Sequence, residues 1–372
     1  MVLGGVALLG FGRIGFAVGL NFYLSNIDLT VFDINEDRLK IASEKFGFNV
    51  ECFNVAADDF SVFKQFDLVL TALPGSISYG VLRKLVDLGV DVVDVSYFPE
   101  DPWILHELAT KRECRLIVDA GFAPGLSNVV VGYFHSKFGG LKSARIYVGG
   151  LSEDPSIPLG LIATWSIPDL VDEYIRPARA IINGRIAEVD PLSYTGVINI
   201  PDLGVFEFFA SDGIRTMLKT FSDVSELIEF TLRYPGHLKV MKLLRDLGFL
   251  GYDSIEVNGL KINLTDFLAK ILESKLVREG RDRAVMLIDA EPVFGDRRRY
   301  IMDVRYDDSL KLTAMGKTTG FTQAEIAKLI LKGLVEDKGV IPPEYFGLNS
   351  ELYDELTVSL RKWGIGWSEL LT

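Results

Sequence analysis

Three glycines near the start of the chain carry the first spacing that can do chemistry: Gly10-Phe11-Gly12-Arg13-Ile14-Gly15. An apolar run ends at Gly10, and an apolar helical stretch begins at Ile14. Strand, glycines, then helix is the order that lets a backbone approach a pyrophosphate. The first glycine makes the tight turn, the second admits the phosphates, and the third lets helix and strand pack closely. The spacing alone is common in a chain with 35 glycines, whereas its context is not. Asp33 ends the next apolar run, 18 residues beyond Gly15, where a carboxylate accepts hydrogen bonds from the ribose hydroxyls of a dinucleotide. Ile34 and Asn35 follow and offer no arginine to a 2′-phosphate. NAD is therefore expected as cofactor, with Arg38 the residue that leaves room for NADP.

Two more segments fall where ligands bind in open α/β sheets, beyond the carboxyl ends of strands. They are TALPGS, from Thr71, and DVSYFPED, from Asp94. Ala72, Leu73 and Pro74 of the first, and Val95 and Ser96 of the second, are expected beside the nicotinamide ribose. A plain helix-starting turn would read the same way. Further on, FTLRYPGH groups Arg233, Tyr234 and His237. An arginine fork can hold a carboxylate bidentately, and an imidazole can carry a proton near neutral pH. The same spacing also suits a structural ion pair at Arg233 and a turn residue at His237. GKTTGF at 316–321 is not read as a phosphate loop, because that motif needs glycine at 311 and the chain has Lys311.

Composition narrows the classes. The chain has 372 residues, 48% of them hydrophobic and 24% charged, which predicts a soluble protein of two domains. No run reaches the roughly 18 uncharged apolar residues of a membrane span. The apolar start lacks a basic leader, so no signal peptide is expected. Cys52 and Cys114 form no CxxC, which favours a reducing cytoplasm and neither a disulfide framework nor a thiolate metal site. A net charge of −12 argues against a nucleic-acid partner. His106, His135 and His237 are the only histidines and are widely spaced, so no metal is expected.

The first 120 residues alternate strands and helices. Strands are expected at Val6–Gly10, Leu29–Asp33, Asn49–Asn54, Leu68–Leu73, Val90–Val95 and Arg115–Asp119, with helices at Ile14–Ser25, Glu36–Phe46, Ser76–Asp87 and Asp101–Cys114. Short Val/Ile/Leu runs of this kind make parallel strands buried on both faces, so the expectation is an α/β, doubly wound Rossmann sheet over 1–122. From 123 to 315 strands follow one another, in ARIYVGG, GVFEFFAS, LIEFTLRY and the hairpin AVMLIDAEPVFGDRRRYIMDVRY. That is the pattern of a second α+β domain with a mainly antiparallel sheet, covered by helices LKVMKLLRDLG and LTDFLAKILESKL. Residues 316–372 are expected as helices packing back on the first domain. One of them, Thr322–Leu334, begins with the capping-box pattern Thr322-Gln323-Ala324-Glu325. Exposed apolar segments of the second domain suggest a homo-oligomer, dimer or tetramer.

The ordered pieces GFGRIG, DVVDVSY, DAGFAPGLSN, YVGGL, PLGLIATWS, FTLRYPGH with KLLRDLGF, and IPPE resemble the saccharopine dehydrogenase and lysine 6-dehydrogenase group over most of the chain. The resemblance implies NAD(P)-linked chemistry at a C–N bond of an amino-acid side chain. It implies that Arg233 grips a substrate carboxylate, that Ser96 and Tyr97 border the pocket, and that Trp165 forms an aromatic wall. Asp119 falls on an acidic position of the saccharopine reductases. Their GLDPG turn is GFAPG here, with Ala123 in place of aspartate, and LSN follows rather than IDH. Those positions help hold saccharopine's second amino acid, so the lysine 6-dehydrogenase branch is the nearer likeness. The expected activity is NAD-dependent oxidative deamination of the ε-amine of L-lysine to 2-aminoadipate 6-semialdehyde, which cyclises. Asp119 and His237 are the candidate bases, with Asp94 in reserve. The alternatives are a saccharopine, carboxynorspermidine or other opine-type dehydrogenase, or a non-catalytic NAD-binding scaffold.

Overall fold

The computed structural model describes residues 5–251 and 253–370. Residues 1–4, 252 and 371–372, which the expected domain bounds include, lie outside the described residues. Strands in chain order are β1 (Gly5–Leu9), β2 (Thr30–Asp33), β3 (Asn49–Cys52), β4 (Phe66–Thr71), β5 (Val92–Asp94), β6 (Arg115–Ile117), β7 (Leu141–Ser152), β8 (Ala178–Ile182) and β9 (Arg185–Val189). They continue with β10 (Thr195–Ile200), β11 (Gly204–Ser211), β12 (Glu226–Arg233), β13 (Ser254–Val257), β14 (Leu260–Asn263), β15 (Asp282–Pro292), β16 (Arg298–Arg305), β17 (Gly339–Ile341) and β18 (Ser368–Glu369). The helices are α1 (Arg13–Leu24), α2 (Glu36–Phe46), α3 (Gly75–Asp87), α4 (His106–Lys111), α5 (Leu126–Lys137) and α6 (Ile167–Asp172). After them come α7 (Met217–Thr220), α8 (His237–Asp246), α9 (Leu264–Leu276), α10 (Ala314–Leu331), α11 (Glu344–Leu348) and α12 (Ser350–Lys362).

The chain divides into two compact units, one running to Lys137 and again from Gly316 to Gly366, the other from Phe138 to Met315 with the residues from Trp367 onward. The first is a seven-stranded sheet in the order β17-β6-β5-β4-β1-β2-β3, parallel throughout. Its central strands β1, β4 and β5 bury both faces while the edge strand β3 is exposed, and Phe32, Phe63, Val69, Leu82 and Leu85 form part of one core cluster. The second unit holds a nine-stranded sheet along β10-β11-β12-β7-β15-β16-β18, with β8 on β12 and β9 on β8. Among the described residues only β12 and β7 run parallel in it. Tyr147, Phe206, Phe209 and Phe230 anchor its core with Leu268 of α9. No helix among the described residues is long and apolar enough to cross a membrane.

Several local expectations are corrected. The unit boundary falls after Lys137, because α5 packs into the first unit. A Cβ at Gly132 would stand 2.3 Å from the Glu344 carbonyl oxygen, and Tyr133 stacks on Tyr353 with ring centres 3.9 Å apart. The tail does not all return to the parallel sheet, since β18 pairs with β16. The stretch 101–114 is a 3₁₀ turn, Pro102–Leu105, followed by the short α4. The helix expected from Thr322 starts at Ala314 instead. Asp282 supplies the cap that no local residue signals, accepting from the N–H groups of Ala314 at 2.6 Å and Met315 at 3.0 Å. Thr322 is a mid-helix residue whose hydroxyl donates back to the Thr318 carbonyl at 2.6 Å.

Gly320, which looks like a helix breaker, is what lets α10 lie against α1. A Cβ there would stand 2.7 Å from Ala17 Cβ and 3.0 Å from the Val18 nitrogen. Gly320→Ala is expected to destabilise by about 1–3 kcal/mol, because overpacking outweighs the better helix propensity. Gly80 of α3 has open space around its Cβ position, so Gly80→Ala is expected to stabilise by about 0.5–1 kcal/mol. Urea unfolding of both variants checks the opposite signs.

Candidate functional site

The glycine loop is built as a cradle. Gly10 turns at φ +96°, donates its N–H to the Phe32 carbonyl at 2.8 Å, and would place a Cβ 2.5 Å from the Ala72 carbonyl oxygen. A Cβ on Gly15 would lie 2.0 Å from the Gly10 carbonyl oxygen. Gly12 differs: its Cβ position meets only Arg38 Nη1, at 3.9 Å. Two glycines thus serve packing and the middle one leaves an approach open. Gly12 is also the N-cap of α1 and supplies no capping side chain, so the helix's first N–H groups and positive dipole end suit an anion. These residues fit a dinucleotide's pyrophosphate. Arg13 is exposed and Ile14 half-buried beside them.

Phe11 plays another part than the expected one. Its ring is buried among Phe16 and Phe46, with centres 6.0 and 6.3 Å away. Its N–H donates to Asp33 Oδ2 at 2.6 Å. Asp33 is itself buried and accepts from Asn35 N–H at 2.8 Å through Oδ1, with Arg38 Nη1 3.5 Å from Oδ2. The carboxylate therefore locks the glycine turn to the end of β2.

At the ends of β4 and β5 one buried carboxylate organises both loops. Asp94 Oδ1 accepts from Thr71 Oγ1 at 2.6 Å, Ser96 Oγ at 2.8 Å and Ser78 Oγ at 3.2 Å, and Oδ2 accepts from Ser96 N–H at 3.1 Å. Burial pushes its pKa up to about 7 against the opposing pull of Thr71 and Ser96, with the Asp119 charge adding to the rise. Ser96 Oγ also accepts from Leu73 N–H at 3.3 Å. Ala72, Leu73, Val95 and Tyr97 are half-buried and Pro74 exposed. Behind them Gln323 donates its amide hydrogens to the carbonyls of Thr71 and Val93, each at 2.8 Å. Asp94, the reserve base of the sequence reading, has its oxygens held by four donors. The sequence did not mark Gln323 or Ser78, and marked Thr71 only as the first residue of TALPGS; Gln323 lies 252 and 230 positions from the carbonyls it meets.

Asp119 follows β6 with φ +54°, which ends the strand two residues before the sequence pattern does. Its side chain is buried, and its carbonyl accepts from Gly121 N–H at 2.8 Å. The turn that follows closes on itself: Leu126 N–H donates to the Gly121 carbonyl at 2.9 Å and Gly125 N–H to Asn128 Oδ1 at 3.2 Å. Ala123 is half-buried within it.

In the second unit Arg233 closes β12 and is 2% exposed. Its Nε donates to Tyr174 Oη at 2.9 Å, Nη1 to the Leu232 carbonyl at 3.0 Å, and Nη2 to Glu173 Oε2 at 2.9 Å. Tyr174 Oη lies 2.8 Å from His237 Nε2, and His237 Nδ1 lies 3.1 Å from the Leu159 carbonyl oxygen. A carbonyl can only accept, so Nδ1 carries the proton, Nε2 accepts from Tyr174, and Tyr174 accepts from Arg233. Burial, with the Arg233 charge beside it, pulls the His237 pKa down to about 3. His237, a candidate base of the sequence reading, stands here as a neutral link in a chain of bonds. Glu207, another residue the sequence did not mark, holds the start of α8 by accepting from Gly236 N–H at 2.9 Å and Leu238 N–H at 2.8 Å. Trp165 is half-buried against the core of this unit.

The comparisons with known proteins agree with this layout. Residues 6–117 match the saccharopine dehydrogenase NADP binding domain, and residues 121–365 match the saccharopine dehydrogenase C-terminal domain. The chain belongs to the saccharopine dehydrogenase family. Among curated members of the family, the alpha-aminoadipic semialdehyde synthase of Arabidopsis thaliana is 26% identical over 59% of this chain and 22% of its own length. The Saccharomyces cerevisiae saccharopine dehydrogenase [NADP(+), L-glutamate-forming] is 25% identical over 62% of this chain and 54% of its own, and that of Pyricularia oryzae is 23% identical over 84% and 86%. The chain thus spans about half the length, or less, of the first relatives it matches. The solved structure of the apo Saccharomyces cerevisiae saccharopine dehydrogenase (L-Glu forming) superposes with a TM-score of 0.79 at 20% identity, covering 99% of this chain and 100% of that one. That likeness shows a shared fold.

His237 yields a prediction on stability. An imidazole with pKa near 6.5 unfolded and about 3 folded binds its proton only in the unfolded chain over that window. Stability is then fully present above pH 6.5 and is lost as pH falls toward 3, by on the order of 4 kcal/mol. His237→Gln removes this contribution. The stability gap between wild type and variant, from denaturation at pH 7 and pH 4, is expected to shrink as the pH falls.

Proposed function

We propose that the chain is an amino-acid dehydrogenase that uses a nicotinamide nucleotide to oxidise a carbon–nitrogen bond, with L-lysine as substrate and its ε-carbon as the reacting centre. Family membership and the glycine cradle support the dehydrogenase; Ala123 carries the choice of lysine. In the turn where the saccharopine reductases it resembles place an aspartate, this chain has a half-buried methyl group with no acceptor to offer a second amino acid. Saccharopine is the second reading, favoured by the names of the relatives and of both family domains.

When bound, the nucleotide supplies a hydride acceptor. The chain's residues must do the rest. An ammonium has no lone pair to expel a hydride, so a base has to remove its proton first. Asp119 is assigned that role, because His237 is held neutral with both ring nitrogens engaged, and Asp94 is committed to four donors. Burial and the Asp119 charge raise Asp94, so the two carboxylates are electrostatically linked. Arg233, steadied by Tyr174, is assigned the substrate's carboxylate.

The nucleotide's form is read from the ribose end. Asp33 is a buried carboxylate that would repel a 2′-phosphate and accept from a 2′-hydroxyl, which supports NAD, while Arg38 and the names of the relatives support NADP. Asp33→Ser is expected to shift the NADP-to-NAD ratio of kcat/KM by about tenfold toward NADP; an unchanged ratio overturns the NAD reading.

The activity itself is tested by following nucleotide reduction at alkaline pH with L-lysine, saccharopine and related amines. Reduction with lysine and not saccharopine is expected. The reverse pattern establishes the second reading, and nucleotide binding with no oxidation of any amine establishes a non-catalytic scaffold.

A further inference from the structure

Helix α8 is apolar on two faces. His237, Leu238 and Met241 are buried on the face that packs into the second unit. Val240, Leu243 and Leu247, three and four positions apart, share a different face and are 42%, 57% and 60% exposed. A surface helix that folds alone needs only one apolar stripe. The second stripe does not stop at the helix. Leu243 borders an open groove of about 460 Å³, which is also lined by Val197 of the edge strand β10, 66% exposed. A continuous apolar surface of this kind marks a place where another molecule docks.

Two charges on the same groove say which molecule. Lys239 and Asp246 both line it and stand seven positions apart, so they flank the stripe on one side. Lys239 lies in the first turn of α8 and Asp246 is its last residue, so each charge sits at the end of the helix dipole that opposes it. Their neighbours are engaged: Lys242 donates to Thr195 Oγ1 at 3.1 Å, and Arg245 pairs with Asp190 Oδ1 at 3.1 Å. Among the described residues Lys239 and Asp246 make no ion pair. A stripe with a positive charge at one end and a negative charge at the other is complementary to itself once reversed.

We propose that this face joins two copies of the chain, α8 of one lying antiparallel to α8 of the other across a two-fold axis. Val240, Leu243, Leu247 and Val197 form its apolar centre, and Lys239 of each copy meets Asp246 of the other. A two-fold interface presents the same patch from both sides, so the charge match occurs twice. Parallel helices would instead set Lys239 against Lys239 and Asp246 against Asp246. The antiparallel arrangement also brings the positive dipole end of each helix beside the negative end of its neighbour, which offsets the unfavourable placement of both charges.

Sedimentation of the full-length chain tests this, at low salt where exposed charges are least screened. The wild type is expected to associate at micromolar concentration. Leu243→Glu, which sets like charges near the axis, is expected to halve the sedimenting mass and raise the dissociation constant by about 100-fold or more. Lys239→Glu and Asp246→Lys each turn two attractions into two repulsions, and each alone is expected to weaken association by about tenfold. Mixing these two single variants in equal amounts makes every contact between positions 239 and 246 one of opposite charges again. The mixture is expected to associate within about threefold of the wild type. A monomeric wild type, an assembly untouched by Leu243→Glu, or a mixture that associates no more tightly than its two components overturns the proposal.

Discussion

Gln323 donates to the carbonyls of Thr71 and Val93, at the carboxyl ends of β4 and β5. Both candidate loops of the first unit leave the sheet there, so their starting points are set by a side chain from α10. That contact depends in turn on Gly320, because any side chain at 320 would hold α10 away from α1. Asp94 completes the arrangement from the other side by collecting three hydroxyls and one N–H. A buried polar network of this kind is rigid only while its members are bonded, and in this one the donors converge on a single carboxylate.

The second unit uses the same logic around a positive charge. Arg233 is almost wholly buried, and a buried cation is tolerable only with a partner and filled hydrogen bonds. Glu173 supplies the charge, Tyr174 the bond at Nε, and His237 the acceptor that orients the tyrosine hydroxyl. The histidine is kept neutral by its burial and by the charge of that cation. One environment therefore fixes a buried cation and keeps the nearby imidazole neutral.

Much of the fold was legible because its signals are local. Buried Val/Leu/Ile runs bounded by glycine or aspartate gave the parallel strands, and α2 and α9 run over the residues expected of them. The glycine loop was legible for the same reason, since its turn, its opening and its close packing each require the absence of a side chain at a set spacing. Phe11, Asp94 and His237 were legible as candidates, but their surroundings were not. Spacing reports that a carboxylate or an imidazole is near a loop; it does not report how many donors surround it or how much water it has lost. The start of α10 was missed because its cap, Asp282, lies more than thirty residues upstream.

By itself, then, the sequence determined the parallel sheet, the nucleotide cradle, the antiparallel second sheet and the residue types available at each loop, because these follow from periodicity and from the special freedom of glycine. Only the tertiary structure decided which charges meet. Gln323 reaching β4 and β5, Asp33 taking the Phe11 N–H, and Glu173 standing on Arg233 are contacts between residues 22 to 252 positions apart. Whether such a group ends as a base, an anchor or a strut depends on burial and on the partners that burial forces upon it, and both are properties of the folded chain.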